Sequence, residues 1–192
     1  MPISNADLQE ALDTLGALLR DRGEEHELVV IGGGGLMLLD LLQRPTKDLD
    51  IVARVQGELW TASEPLPASL VAAVHDVAGA LDLPPNWLNA GPSDFIRSGL
   101  PDGFRDRTTT KVYGGLTLQL ASRLDQIALK LFAATDQDRN SRHFADLRHL
   151  RPTPAELNDA AGWCRAQDTS EAWGGMVDEV IEAIAAKEPR RG

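Results

Sequence analysis

The feature that most constrains this chain is the run Val29-Val30-Ile31, which passes at once into Gly32-Gly33-Gly34-Gly35. Branched side chains favour a pleated, half-buried surface, so Glu27 to Ile31 reads as a short buried strand. Four glycines cannot extend it, and they permit a sharp turn or a close backbone approach. The apolar stretch that follows predicts a helix from about Gly34 to Leu42, ending near Gln43 because Pro45 disfavours helical geometry at Arg44. A strand, a glycine turn and a helix also open dinucleotide-binding units, but the third fingerprint glycine is replaced here by Met37 or Leu38. No Gly-x-x-x-x-Gly-Lys-Ser/Thr run exists either, which excludes a P-loop.

After Thr46 and Lys47 a second strand is predicted over Asp48 to Val55. Alternation along a strand puts Leu49, Ile51 and Ala53 on one face and Asp48 and Asp50 together on the other. The chemistry this permits is coherent. Glycines let backbone approach a triphosphate, and a helix N-terminus offers it N–H groups. Paired carboxylates hold magnesium, and two such ions about 3.5 to 4 Å apart stabilise attacking and leaving oxygens together. Taken alone, Asp-x-Asp more often describes a strand with an ordinary solvated face.

Elsewhere, Leu8, Leu12, Leu15 and Leu19 mark an amphipathic helix with Asn5 as a cap and Gly23 as a stop. Gln56 to Pro67 reads as a loop, and Leu70 to Leu81 as a third helix. The segment Asn86 to Gly115 is irregular, with strands at Lys111 to Tyr113 and Leu116 to Leu120. The remainder is helical: one helix from Ser122, one over Ser141 to Leu150, one opened by the capping-box order Thr153-Pro154-Ala155-Glu156, and one from Ser170 to Ala186 with Met176, Val180 and Ile184 as its apolar stripe. A core over 1–120 and a helical extension over 121–192, folding as one cooperative unit, follow from this order.

The net charge of -10 argues against a broad polynucleotide footprint, which needs clustered Lys and Arg. No stretch approaches the length of apolar sequence a membrane span requires. The lone Cys164 and the lack of a secretory signal favour the cytoplasm, and Cys164 reads as a small packed hydrophobe. Trp87, close to Asn89, is the tryptophan best placed by sequence to stack on a base.

Together, Val30-Ile31-Gly32-Gly33 and Arg44-Pro45-Thr46-Lys47-Asp48-Leu49-Asp50 resemble the signature of the polymerase-beta-like nucleotidyltransferase superfamily, and most closely its minimal bacterial branch of abortive-infection and toxin–antitoxin nucleotidyltransferases. Pro85-Asn86-Trp87-Leu88-Asn89, Leu129 to Ala134 and Asp146-Leu147 are similar to further segments of that branch, so the resemblance spans roughly Leu28 to Leu150. It implies an α/β (α+β) nucleotidyltransferase fold, with a short mixed sheet flanked by helices and a helical C-terminal extension. It also implies transfer of a nucleotidyl group from a nucleoside triphosphate to an acceptor hydroxyl of RNA, protein or a small molecule. In that reading Gly32 and Gly33 seat the phosphates, Asp48 and Asp50 are catalytic and bind Mg2+, and Thr46 and Lys47 shape the turn that presents them. Lys130 either neutralises phosphate or snorkels from an amphipathic helix, and Asp146 either flanks the cleft or is a surface charge.

Two departures from the pattern stand out. Asn89 occupies the place of a third metal-binding carboxylate; its amide can coordinate a cation but cannot act as a base, and Asp94 is the nearby substitute. Thr135-Asp136-Gln137-Asp138-Arg139 is acidic where relatives often carry arginines. Both support a rival reading, in which a catalytically weak fold serves as a binding or regulatory protein, such as the antitoxin partner of a small protein encoded nearby.

Overall fold

The computed structural model describes residues 2–137 and 140–186 of the chain. It divides into two compact units, Met1–Ser122 and Arg123–Gly192.

In the first unit the elements are α1 (Asn5–Asp21), β1 (His26–Ile31), α2 (Gly32–Leu38), β2 (Leu49–Gln56), β3 (Leu59–Ala62), α3 (Ala68–Ala80), β4 (Leu88–Asn89), α4 (Phe95–Ser98), β5 (Thr109–Tyr113) and β6 (Leu116–Leu120). They build a mixed sheet in the order β3-β2-β1-β6-β5, with β4 on β2. β1 is antiparallel to β2 and parallel to β6, and β4 runs parallel to the start of β2. The four α1 leucines are buried, and the helix packs on β5, β6, α2 and α3. Its cap is Ser4 rather than Asn5. The Ser4 hydroxyl accepts the Asp7 N–H at 3.2 Å while Asp7 accepts the Ser4 N–H at 3.1 Å, a reciprocal pair that fixes the start one residue early.

Three further expectations are corrected. α2 stops at Leu38 and not near Gln43. Asp40 takes a left-handed φ of 58°, and the Leu41 N–H returns to the Leu36 carbonyl at 2.9 Å, so a C-terminal αL cap ends the helix before Pro45 can. The loop expected over Gln56 to Pro67 contains β3, closed on β2 by a two-residue turn at Gly57-Glu58. The alternation read along β2 is interrupted by a bulge: Val29 faces Ala53 but Val30 faces Ile51, leaving Val52 as the extra residue. Ile51, Val52 and Ala53 are accordingly all buried.

The second unit holds α5 (Arg123–Asp136), α6 (Arg142–His149), α7 (Pro154–Gln167) and α8 (Glu171–Ala185), with α5 packed on the other three. The capping box forms as the sequence orders it, Glu156 accepting the Thr153 N–H at 2.7 Å. Arg123 ties two segments, meeting Glu156 at 2.6 Å and the Leu150 carbonyl at 2.6 Å. In α8 the buried stripe is Trp173, Val177 and Val180, and Met176 is exposed; Trp173 packs on Phe132 with ring centroids 5.1 Å apart, which sets the rotation of the helix.

α1 docks on the β5–β6 hairpin through Gly16, whose carbonyl accepts the Gly115 N–H at 2.8 Å. A Cβ at residue 16 would run into the Tyr113 carbonyl, whereas one at Gly79 on α3 meets nothing within 4 Å. Gly16→Ala is therefore expected to cost about 3 kcal/mol through overpacking, and Gly79→Ala to be neutral or to stabilise by up to about 1 kcal/mol. Urea unfolding of the two variants checks this; equal midpoints would refute the docking role of Gly16.

Candidate functional site

Asp50 stands at the centre of the site because its strand is paired on both sides. On one side Ile31, the last residue of β1, lies opposite Asp50; on the other Asn89 of β4 does. The backbone pairing is tightened by the Leu49 N–H, which donates to the Trp87 carbonyl at 2.6 Å. Gly32 therefore follows directly beside Asp50, with a left-handed φ of 76°. A Cβ at Gly32 would collide with the Asp50 carboxylate, so glycine is demanded twice, by conformation and by space. Gly34 has a third reason: a side chain there would strike Leu49 at 2.7 Å and the Asp48 carbonyl at 3.0 Å, so α2 lies directly on the start of β2.

Asp48 sits one residue before β2 begins, so strand alternation does not set its direction as the sequence reading assumed. Thr46 sets its backbone instead. The buried Thr46 hydroxyl donates to the Asp48 carbonyl at 3.0 Å, and the Thr46 backbone pairs with Ile3 in both directions, at 2.6 and 3.0 Å. Lys47 is exposed on the same turn. A Cβ at Gly33 would meet the Thr46 hydroxyl at 3.2 Å and the Arg44 guanidinium at 3.8 Å, which brings Arg44 to the glycine turn. Sequence reasoning quoted Arg44 within the motif but gave it no role, because the Pro45 after it reads as a loop signal.

The amide of Asn89 has a defined orientation. The Gly91 N–H reaches its Oδ1 at 2.8 Å, and a donor there requires the oxygen, so Nδ2 is turned to Asp50 and donates to it at 3.4 Å. Asn89 thus gives Asp50 a hydrogen where a third carboxylate would give it a negative charge. Asp94 does not stand in: it is exposed and paired with Arg97 at 3.1 Å. Among the described residues no group of three or more His, Cys, Asp and Glu side chains could hold a metal. The donor set nonetheless suits magnesium, which takes one or two carboxylates and fills its remaining positions with phosphate oxygens and water. The space kept clear over Gly32 is where the Asp50 carboxylate rests.

The remaining sequence candidates are mostly buried. Lys130 neither snorkels nor lies exposed, for its side chain is 5% accessible and its ammonium is 2.8 Å from Asp146. Asp146 is 1% accessible, not a surface charge. Trp87 is fully buried and donates its indole N–H to the Val74 carbonyl at 3.1 Å, so no face of it is open to a base. Cys164 is buried, and burial pushes its thiol up to about 12, which leaves it without thiolate character. In the acidic stretch Thr135 is buried on the Leu131 carbonyl and Asp136 is exposed, while Asp138 and Arg139 lie outside the described residues.

Two outcomes follow. Asn89→Asp puts a second negative oxygen against Asp50; in magnesium-free buffer it is expected to lower the melting temperature, and millimolar magnesium to restore it more strongly than in the parent chain. Calorimetry with and without the cation checks this, and an identical response of both chains would separate residue 89 from any cation site. Lys130→Met is expected to cost about 3 to 5 kcal/mol by stripping Asp146 of its buried cation. Replacing both partners with apolar residues of similar volume should recover most of that loss, and an additive double mutant would show that the two do not act as a pair.

No curated protein and no solved structure matches the chain. Residues 7–148 match the family described as "Nucleotidyltransferase of unknown function (DUF6036)", a span that begins within α1, contains every element from β1 through α5 and reaches into α6. With a mixed sheet that seats Asp50 between a glycine turn and Asn89, the chain belongs to this nucleotidyltransferase family.

Proposed function

We propose that the chain moves a nucleotidyl group from a nucleoside triphosphate to an acceptor hydroxyl, with magnesium held by Asp48 and Asp50. The observation that carries the reading is the Asp50 carboxylate resting on the bare Cα of Gly32, which brings the carboxylate and the turn suited to phosphate together. In the reaction the acceptor oxygen forms a bond to the α-phosphorus and the α–β bridging P–O bond breaks. Pyrophosphate leaves with that electron pair, and the hydroxyl proton passes to an aspartate carboxylate and on to water. Bound magnesium would offset charge on the phosphate oxygens.

The protein's own part is positioning. Gly32 and Gly33 allow the phosphates to approach backbone, and Thr46 holds the Asp48 carbonyl. Arg44 beside Gly33 and the exposed Lys47 would supply positive charge to the phosphates at the glycine turn. A second reading is favoured by one observation, the Asn89 amide donating to Asp50 in place of a third carboxylate. In that reading a catalytically weak member of the abortive-infection and toxin–antitoxin branch binds a small partner protein.

Magnesium with a nucleoside triphosphate is expected to raise the melting temperature by several degrees, since a ligand in hundredfold excess over Kd stabilises the folded state by about 2.7 kcal/mol. Asp50→Asn should remove most of that gain. Thermal scans with each of the four common triphosphates, followed by assays for pyrophosphate release, check the reading. A curve unmoved by all four would leave the partner-binding protein standing.

A further inference from the structure

One edge of β2 is covered by two different strands with a gap between them. β4 pairs with Leu49 and Asp50, β3 pairs with Ala53 to Gln56, and neither has a residue opposite Ile51 or Val52. Backbone groups alternate between the two edges of a strand, so Ile51 faces the same edge as Leu49, whose N–H donates to the Trp87 carbonyl. Ile51 is fully buried, and a buried carbonyl left without a donor is costly. Ser63, the first residue after β3, closes the gap: its hydroxyl donates to the Ile51 carbonyl at 2.7 Å, and Ser63 is itself 0% exposed.

The bond falls at the bulge. Val52 is the extra residue against β1, so the backbone from Ile51 to Ala53 has an irregular register on one edge and no strand on the other. Asp50 is where β4 ends its pairing, and this joint begins immediately after it. On the other side of Asp50 the buried Thr46 hydroxyl donates to the Asp48 carbonyl at 3.0 Å. The stretch from Asp48 to Ile51 is thus tied at both ends by buried hydroxyls, each bonding main chain. We infer that Ser63 is a positioning residue for the cation site, acting through the Ile51 carbonyl to hold the Asp50 carboxylate between Gly32 and Asn89. The inference rests on the nucleotidyl-transfer reading, with magnesium at Asp48 and Asp50, and adds to it a residue outside the Asp-x-Asp motif.

The test uses the full chain labelled with 15N, first without metal. The Asn89 side-chain amide, which donates to Asp50 at 3.4 Å, is the reporter. Its NH2 resonances are expected to move in Ser63→Ala and to stay near their parent positions in Ser63→Thr, which keeps the hydroxyl. They should also stay in Gly16→Ala, which lowers stability through the α1 contact with the β5–β6 hairpin. Ser63→Cys, a weaker donor of similar volume, should give a partial shift and serves in place of Ser63→Ala if that variant does not fold. Magnesium is then titrated in the presence of a nucleoside triphosphate, with the melting temperature as readout. Ser63→Ala is expected to need about tenfold more magnesium for half of the gain, and Ser63→Thr no more than the parent. Unmoved Asn89 resonances in Ser63→Ala would overturn the inference, as would equal shifts in Gly16→Ala, because the hydroxyl would then serve only stability. A parent chain with no response to magnesium and triphosphate overturns the transfer reading and the role of Ser63 with it. A parent that responds, with Ser63→Ala responding at the same magnesium concentrations, overturns the role of Ser63 alone.

Discussion

The site depends on a short piece of parallel pairing, Leu49-Asp50 against Leu88-Asn89, set beside the antiparallel pairing of β2 with β1. Strands in a sheet lie about 4.8 Å apart, so a residue paired on both sides has its neighbours' positions imposed by backbone hydrogen bonds and not by side-chain flexibility. Asp50 is such a residue. Its environment, a glycine on one flank and an amide on the other, is therefore as rigid as the sheet. The remaining features serve that geometry: Gly34 lets α2 rest on Asp48 and Leu49, Thr46 pins the approach to the strand, and the buried Trp87 anchors β4 to α3.

Much of this was legible in the residue order because local signals and global placement agree. The glycine run, the leucine spacing of α1 and the Thr153 capping box each have one physical meaning that tertiary structure does not override, whereas the Asp-x-Asp pair was legible only in part, since Asp48 lies before β2 begins. What escaped notice was set by distant partners. β3 is short, exposed at Leu59 and defined by β2, so its own residues carry little strand signal. The bulge at Val52 exists only in relation to β1. The rotation of α8 follows Trp173 meeting Phe132, and spacing alone made Met176 an equal candidate for the buried stripe. Arg44 was hidden for the same reason, since only the fold returns it to Gly33.

Cations in this acidic chain are put to two different uses. Lys130 is buried against Asp146, an arrangement in which desolvation offsets much of the Coulomb attraction and the pair acts chiefly to fix how α5 and α6 pack. Arg44 is half-buried at the glycine turn, where its guanidinium donates to the Pro45 carbonyl at 3.1 Å and stands close to Gly33. A chain with few basic residues to spare for phosphate would gain most from placing one where the backbone already approaches closely.

The bulge in β2 also bears on how this gene can change length. Because Val52 is the residue without a partner, losing one codon within Ile51 to Ala53 would restore regular alternation and shift the two halves of the strand against each other by one position. The half that ends at Gln56 is held in register by β3, so the slip would fall on Asp50. Codons added at the Gly57-Glu58 turn, by contrast, would lengthen an exposed loop and leave both registers intact. Insertions and deletions that descendants of this sequence tolerate should therefore gather at the tip of that hairpin and be missing from the few residues that follow Asp50.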